Sequence, residues 1–176
     1  MQFADSDDPQ ATYFTAWACS LGPAAVEDYS PAIRLARQSV EKDPSDQQYQ
    51  TGLGSILFRA GEFEEAKIVL EKAKAAAGNE KTSTSYIDYF LAMTEHHLGN
   101  PDAAQRHLSD ANASAETELA GSPAWNRRLT LALLKAETMA LIGKKIPPSD
   151  GAGENREKSV PDPKVKVIDA SDGTTP

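Results

Sequence analysis

"FRAGEFEEAKIVLEKA", residues 58–73, sets a glycine between two strongly helical segments, with a small residue and then a leucine at fixed distances behind it. Gly61 fits a helix stop, because glycine enters the left-handed conformation that ends a helix without steric cost. A new helix starts at once. Glu62, Glu64 and Glu65 stand where a helix N-terminus favours negative charge, and Lys72 and Lys74 stand near its C-terminus, where the dipole favours cations. The stretch therefore reads as the turn and second helix of a helical hairpin.

The same punctuation recurs along the chain. Asp8-Pro9, Ser30-Pro31, Asn100-Pro101 and Ser122-Pro123 each place a good N-cap oxygen before a proline, which at the first helical position loses only a donor without a partner. Ser45 with Gln48 has capping-box spacing, and a Ser/Thr cluster spans Thr82 to Ser85. Stops fall at Gly22, Pro44, Gly61, Gly78, Gly99, Gly121 and Gly143. The spacing predicts seven helices near 10–21, 31–43, 46–60, 62–77, 84–98, 101–119 and 123–142. Strand-like alternation is missing until "KVKVIDA" near the end.

A length of 176 residues suits one domain with an ordinary core. Residues 1–8 read as a flexible N-terminus, 9–143 as the helical domain and 144–176 as a disordered tail. The tail is rich in Pro, Gly, Ser, Asp and Lys and has too few apolar side chains to offset its ordering entropy. Val165, Val167 and Ile168 would be its anchors if it added a strand to a partner.

A net charge of −8 argues against non-specific nucleic-acid binding and against an anionic membrane surface. No window supplies the roughly twenty apolar residues of a membrane span. "MQFADSDDPQ" carries acids where a signal peptide needs basic and then apolar residues, so the expected compartment is the cytoplasm. The single Cys19 is expected to be a small core residue.

Aligning Ala66 with Ala104 brings Leu70 over Leu108, Ala73 over Ala111, Gly61 over Gly99 and Leu53-Gly54 over Leu91-Ala92, a constant offset of 38 residues. This pattern resembles the tetratricopeptide repeat (TPR), with its W-x2-L-G-x2-Y first helix and A-x3-F second helix. Leu53, Gly54, Ala66, Leu70 and Ala73 occupy signature positions in the middle repeat, and Gln50 and Leu57 replace the aromatic ones. The later repeat keeps Leu91, Ala92, Gly99, Ala104, Leu108 and Ala111. The first, with Trp17-Ala18 and Ala32, fits only with about two extra residues in "GPAAVEDYS". The expected fold is thus an all-α, TPR-like helical-hairpin solenoid of about three repeats plus a C-terminal capping helix. Small residues at Gly54, Ala66, Ala92 and Ala104 would let the helices approach closely.

The wording of the repeats further resembles the TPR segment at the C-terminal end of bacterial serine/threonine kinases and WD40-type signalling proteins. None of a kinase's own signatures is present, neither a glycine-rich phosphate loop nor the H-R-D or D-F-G elements. The resemblance implies a non-enzymatic scaffold for protein-protein interaction that binds a peptide or partner domain in its concave groove. The alternatives are a regulatory or spacer segment of a kinase signalling system, and self-association through the last helix. On this alignment the groove residues are Thr51, Ser55, Phe58, Arg59, Tyr86, Tyr89, Met93 and His97. The chaperone-tail clamp of some relatives needs Lys, Asn and Arg there, and only Arg59 is basic.

No catalytic, cofactor or metal site is expected. His96 and His97 point about 100° apart on a helix and cannot easily share a metal with His107. Asp5, Asp7 and Asp8 lack the glycine and distal glutamate of a calcium loop. In the last helix Trp125, Leu129, Ala132, Leu133, Ala136 and Ala140 form one stripe, expected to cover the third repeat, with Leu131, Leu134, Leu141 and Ile142 partly outside it.

Overall fold

The computed structural model describes residues 8–76 and 83–143. The chain divides into two units, Met1–Lys145 and Ile146–Pro176, and all described residues belong to the first. The expectations for residues 1–7, for Gly78 and for the tail from Lys144 onward lie outside them.

Among the described residues there are seven helices and no strand: α1 (Pro9–Ser20), α2 (Ser30–Lys42), α3 (Gln47–Ala60), α4 (Phe63–Ala75), α5 (Thr84–His97), α6 (Pro101–Ala120) and α7 (Trp125–Ile142). Only one of the four X-Pro dipeptides caps as its sequence suggests. Asp8 Oδ1 accepts the Gln10 N–H at 3.0 Å. Ser30 is already helical and donates its N–H to Asp28. Asn100 turns its amide to Glu95 at 2.8 Å, and Ser122 takes a left-handed φ of 54°, so α7 starts only at Trp125. Asp46, not Ser45, caps α3: its Oδ1 accepts the N–H groups of Gln48 and Tyr49, while Ser45 turns back to Asp43.

The repeat is written in the backbone. Gly61 and Gly99 have φ of 84° and 76°. Gly61 N–H donates to Phe58 O and Glu62 N–H to Leu57 O; Gly99 N–H donates to His96 O and Asn100 N–H to Glu95 O. The same pair of reversed bonds closes both helices on a left-handed glycine, at the offset read from the sequence.

α1 packs with α2, α3 with α4 and α5 with α6, each as a hairpin. The odd helices also contact one another in a row, α1 to α3 to α5 to α7, and each even helix touches the odd helix that follows it. Small residues allow this closeness. Ala66, Ala92 and Ala104 are fully buried, and a Cβ on Gly54 would lie 2.5 Å from Leu70 Cγ. A large apolar core runs through the stack, with Ile56, Leu57, Leu70, Phe90, Leu91 and Leu134 among its fully enclosed side chains. Cys19 is half-buried against that core.

An ion-pair ladder joins α4 to α5. Lys67 and Lys74 on α4 meet Glu95 and Asp88 on α5 at 2.8 and 2.6 Å. Both acids are nearly enclosed, and each has a second donor: Asn100 for Glu95 and the His107 ring for Asp88. Removing two carboxylates from water is tolerable only with such partners, so the spacing fixes the antiparallel register of α4 on α5.

α7 corrects one expectation. Its buried face carries Leu131, Leu134 and Thr138, and the stripe expected to face inward is outside, with Trp125, Leu129, Ala132, Leu133, Ala136 and Ala140 all exposed. The helix is apolar on two opposite faces, so amphipathic periodicity did not decide which one docks.

Candidate functional site

The expected groove is mostly core. Thr51, Ser55, Tyr89 and Met93 are fully enclosed and Phe58 nearly so. The hydroxyls of Thr51 and Ser55 donate to Gln47 O and Gly52 O in their own helix, and Tyr89 O–H donates to Asn112 on α6 at 3.0 Å. None of these five side chains offers a partner more than a sliver of surface. The reason is that helices of the chain surround both elements: α3 packs against α1, α2, α4 and α5, and α5 against α3, α4, α6 and α7.

Arg59 seals one end. Its Nε donates to Ser20 O at 2.7 Å, its two terminal nitrogens pair with both carboxylate oxygens of Glu137, and its guanidinium lies 5.3 and 5.5 Å from the Phe58 and Phe90 ring centres. One side chain of α3 therefore ties the end of α1 to α7. A planar bidentate fork fits this task as a lysine would not. Outside this clamp His97 is exposed and stacks on Phe63, with ring centres 4.4 Å apart. Burial, followed by the charge of His96, lowers its pKa.

At the other end α1 and α7 stay apart, and a cleft of about 330 Å³ opens between them. Tyr13, Phe14 and Trp17 of α1 form one wall and Asn126, Arg127 and Thr130 of α7 the other, with Gln48 of α3 and Tyr86 of α5 beneath. Trp17 stacks on Tyr86 at 5.6 Å and meets Phe90 edge-on, while Tyr13 rests against Trp17 and Tyr49. Such contacts fix the rings before any ligand arrives. Tyr86 O–H donates to Arg127 O at 3.4 Å, and the Arg127 guanidinium sits 6.0 Å from the Tyr86 ring centre. Glu118 holds Arg127 through an ion pair and also accepts from Ser83 O–H. Burial pushes the Tyr13 hydroxyl up to about 12, and raises Tyr86 against the opposing pull of Arg127, so both stay neutral phenols.

Of the eight expected site residues only Tyr86 lines this cleft. Tyr13, Phe14, Trp17, Asn126, Arg127 and Thr130 were missed. The aromatic run "YFTAW", residues 13–17, was the available signal.

The side chains closest to a metal-ligand set among the described residues are Asp88, His107 and Asp110, whose ligand atoms lie within 4.8 Å of one another. The Lys74 ammonium stands 2.6 Å from Asp88 and 3.6 Å from Asp110. A divalent ion would have to displace it against charge repulsion, so the cluster is an ion-pair node with its cation supplied by the chain. Among the described residues no helix is long and apolar enough to cross a membrane. Compared with known proteins, the chain matches no family, no curated protein and no solved structure.

Proposed function

We propose that this chain is a non-enzymatic protein-interaction module of the TPR type, which takes an extended peptide segment of a partner in the cleft between α1 and α7. The observation that carries the reading is the cleft's construction: pre-stacked aromatic rings for an apolar side chain, with the Asn126 amide and the Thr130 hydroxyl on the α7 wall and the Gln48 amide beneath for a peptide backbone. Rings already fixed lose little entropy on binding. The hairpin pairing and the two left-handed glycines support the repeat assignment. Arg127 is neutralised by Glu118, so an apolar anchor fits the cleft better than a free carboxylate.

The test is selection of peptides from a random display library on the 176-residue chain, followed by titration against tryptophan emission in a Trp125→Phe background, where Trp17 is the sole reporter. Selected peptides are expected to change Trp17 emission and to lose binding when Asn126→Phe fills the cleft with helicity unchanged. Binding that survives the filled cleft refutes the reading.

A further inference from the structure

The cleft between α1 and α7 has an apolar wall and a polar, uncharged floor. Phe14 and Trp17 line the α1 side, and Phe14 is 51 % exposed, so a planar apolar surface faces whatever enters. Beneath and opposite, the Tyr13 phenol meets the Gln48 amide, and the Tyr86 phenol meets the Thr130 hydroxyl and the Arg127 carbonyl. Burial keeps both phenols protonated. Arg127 is the one charged side chain among the described residues that line the cleft, and Glu118 cancels it. An aliphatic anchor would strip water from these hydroxyls and amides and give nothing back. A carboxylate would enter a neutral floor whose cation is already paired. A volume of about 330 Å³ lies at the small end for a ligand cleft and suits a single ring.

We propose, on the footing that the cleft is the peptide site, that the anchor of the bound peptide is an unphosphorylated tyrosine, its ring against Phe14 and Trp17 and its hydroxyl among Gln48, Tyr86 and Thr130. A phenol hydroxyl both donates and accepts, as do the hydroxyls of Tyr86 and Thr130 and the amide of Gln48, so each can answer it. Phenylalanine fills the same space and leaves those groups unpaired, and the tryptophan ring offers a donor only. A phosphate on the anchor would bring about two negative charges to a site whose guanidinium is held by Glu118. Phosphorylation of that tyrosine therefore releases the partner.

Short peptides displayed with random residues other than tryptophan around a fixed central Tyr, Phe or Leu are selected on the 176-residue chain. The winners are synthesised with Tyr, phosphotyrosine, Phe or Leu at the centre and titrated against Trp17 emission in the Trp125→Phe background. The Tyr set is expected to yield the tightest binders. Phe in place of the central Tyr is expected to weaken them about 10-fold or more, since a site made to bond a hydroxyl is left unpaired without it, and phosphotyrosine to remove binding. In the Gln48→Met, Thr130→Val double variant, with helicity unchanged, the preference for Tyr over Phe should fall to about twofold or less while the Phe peptide binds as before. A central Phe or Leu as tight as Tyr, a phosphotyrosine peptide that binds more tightly, or a preference that survives in the double variant would each overturn the tyrosine anchor, and would leave the peptide site standing where Asn126→Phe still removes binding. Selected peptides indifferent to Asn126→Phe, or no selected peptide at all, would refute the peptide site and the tyrosine anchor with it.

Discussion

Arg59→Met tests whether one guanidinium holds the closed arrangement of α1, α3 and α7. The substitution keeps most of the side chain's volume against Phe58 and Phe90 and removes only the fork. The Arg59 side chain is 3 % exposed and that of Glu137 24 %. Breaking a buried pair by removing one partner costs about 3–5 kcal/mol when both groups are enclosed. Water reaches Glu137, so the lower end applies, and loss of the bond to Ser20 O adds about 1 kcal/mol, partly regained because Met needs no desolvation of charge. The expected destabilisation is about 3 kcal/mol. Urea unfolding followed by helical circular dichroism measures it, with Glu137→Gln and the double variant completing a thermodynamic cycle. A coupling of at least about 1.5 kcal/mol is expected between the two positions. A loss under about 1 kcal/mol for Arg59→Met with an unchanged denaturant slope would refute the clamp, since an ordinary exposed ion pair contributes no more than that.

Gly54→Ala gains about 1 kcal/mol of helix propensity, but its Cβ would stand 2.5 Å from Leu70 Cγ and 3.3 Å from the Leu70 backbone nitrogen. Overpacking is expected to win and lower the melting temperature; a rise would show that α3 and α4 separate freely. Leu134→Ala should cost about 2–5 kcal/mol and Leu129→Ala under about 0.5 kcal/mol, because Leu134 is enclosed and Leu129 is not. Similar losses at the two positions would mean that the faces of α7 are assigned wrongly. Burial alone would raise the Glu95 pKa, but hydrogen bonds from Lys67 and Asn100 outweigh it and lower the value below the ordinary 4.5. A depressed carboxylate contributes stability that is fully present above 4.5 and is lost as pH falls through the lower folded value. Unfolding free energy should therefore fall on acidification across that window and less steeply in Glu95→Gln; an identical acid limb in both would rule out the contribution.

Every helix begins and ends within two residues of where spacing, caps and glycines place it, because those signals act within a turn or two of the chain. Gly61 and Gly99 take the left-handed conformation, and Gly54, Ala66, Ala92 and Ala104 the close contacts, that their identities require. Cap identity is less local than it looks. Asp46 displaced Ser45, and Asn100 left its cap for Glu95, because a neighbouring acid offered a better partner.

Among the described residues the sequence itself determined seven helices and where they stop, since helix formation, capping and turning are decided by neighbours in sequence. Only the tertiary structure decided which of those helices cover which. Arg59 finds Glu137 across 78 residues of chain, Trp17 finds Tyr86, and four neighbouring helices around each of α3 and α5 enclose Thr51, Tyr89 and Met93, which had been expected to meet a partner. α7 shows the limit most clearly. With leucines on both sides, either face satisfies the same hydrophobic period, and the choice fell to the fit of Leu131, Leu134 and Thr138 against the rest of the molecule.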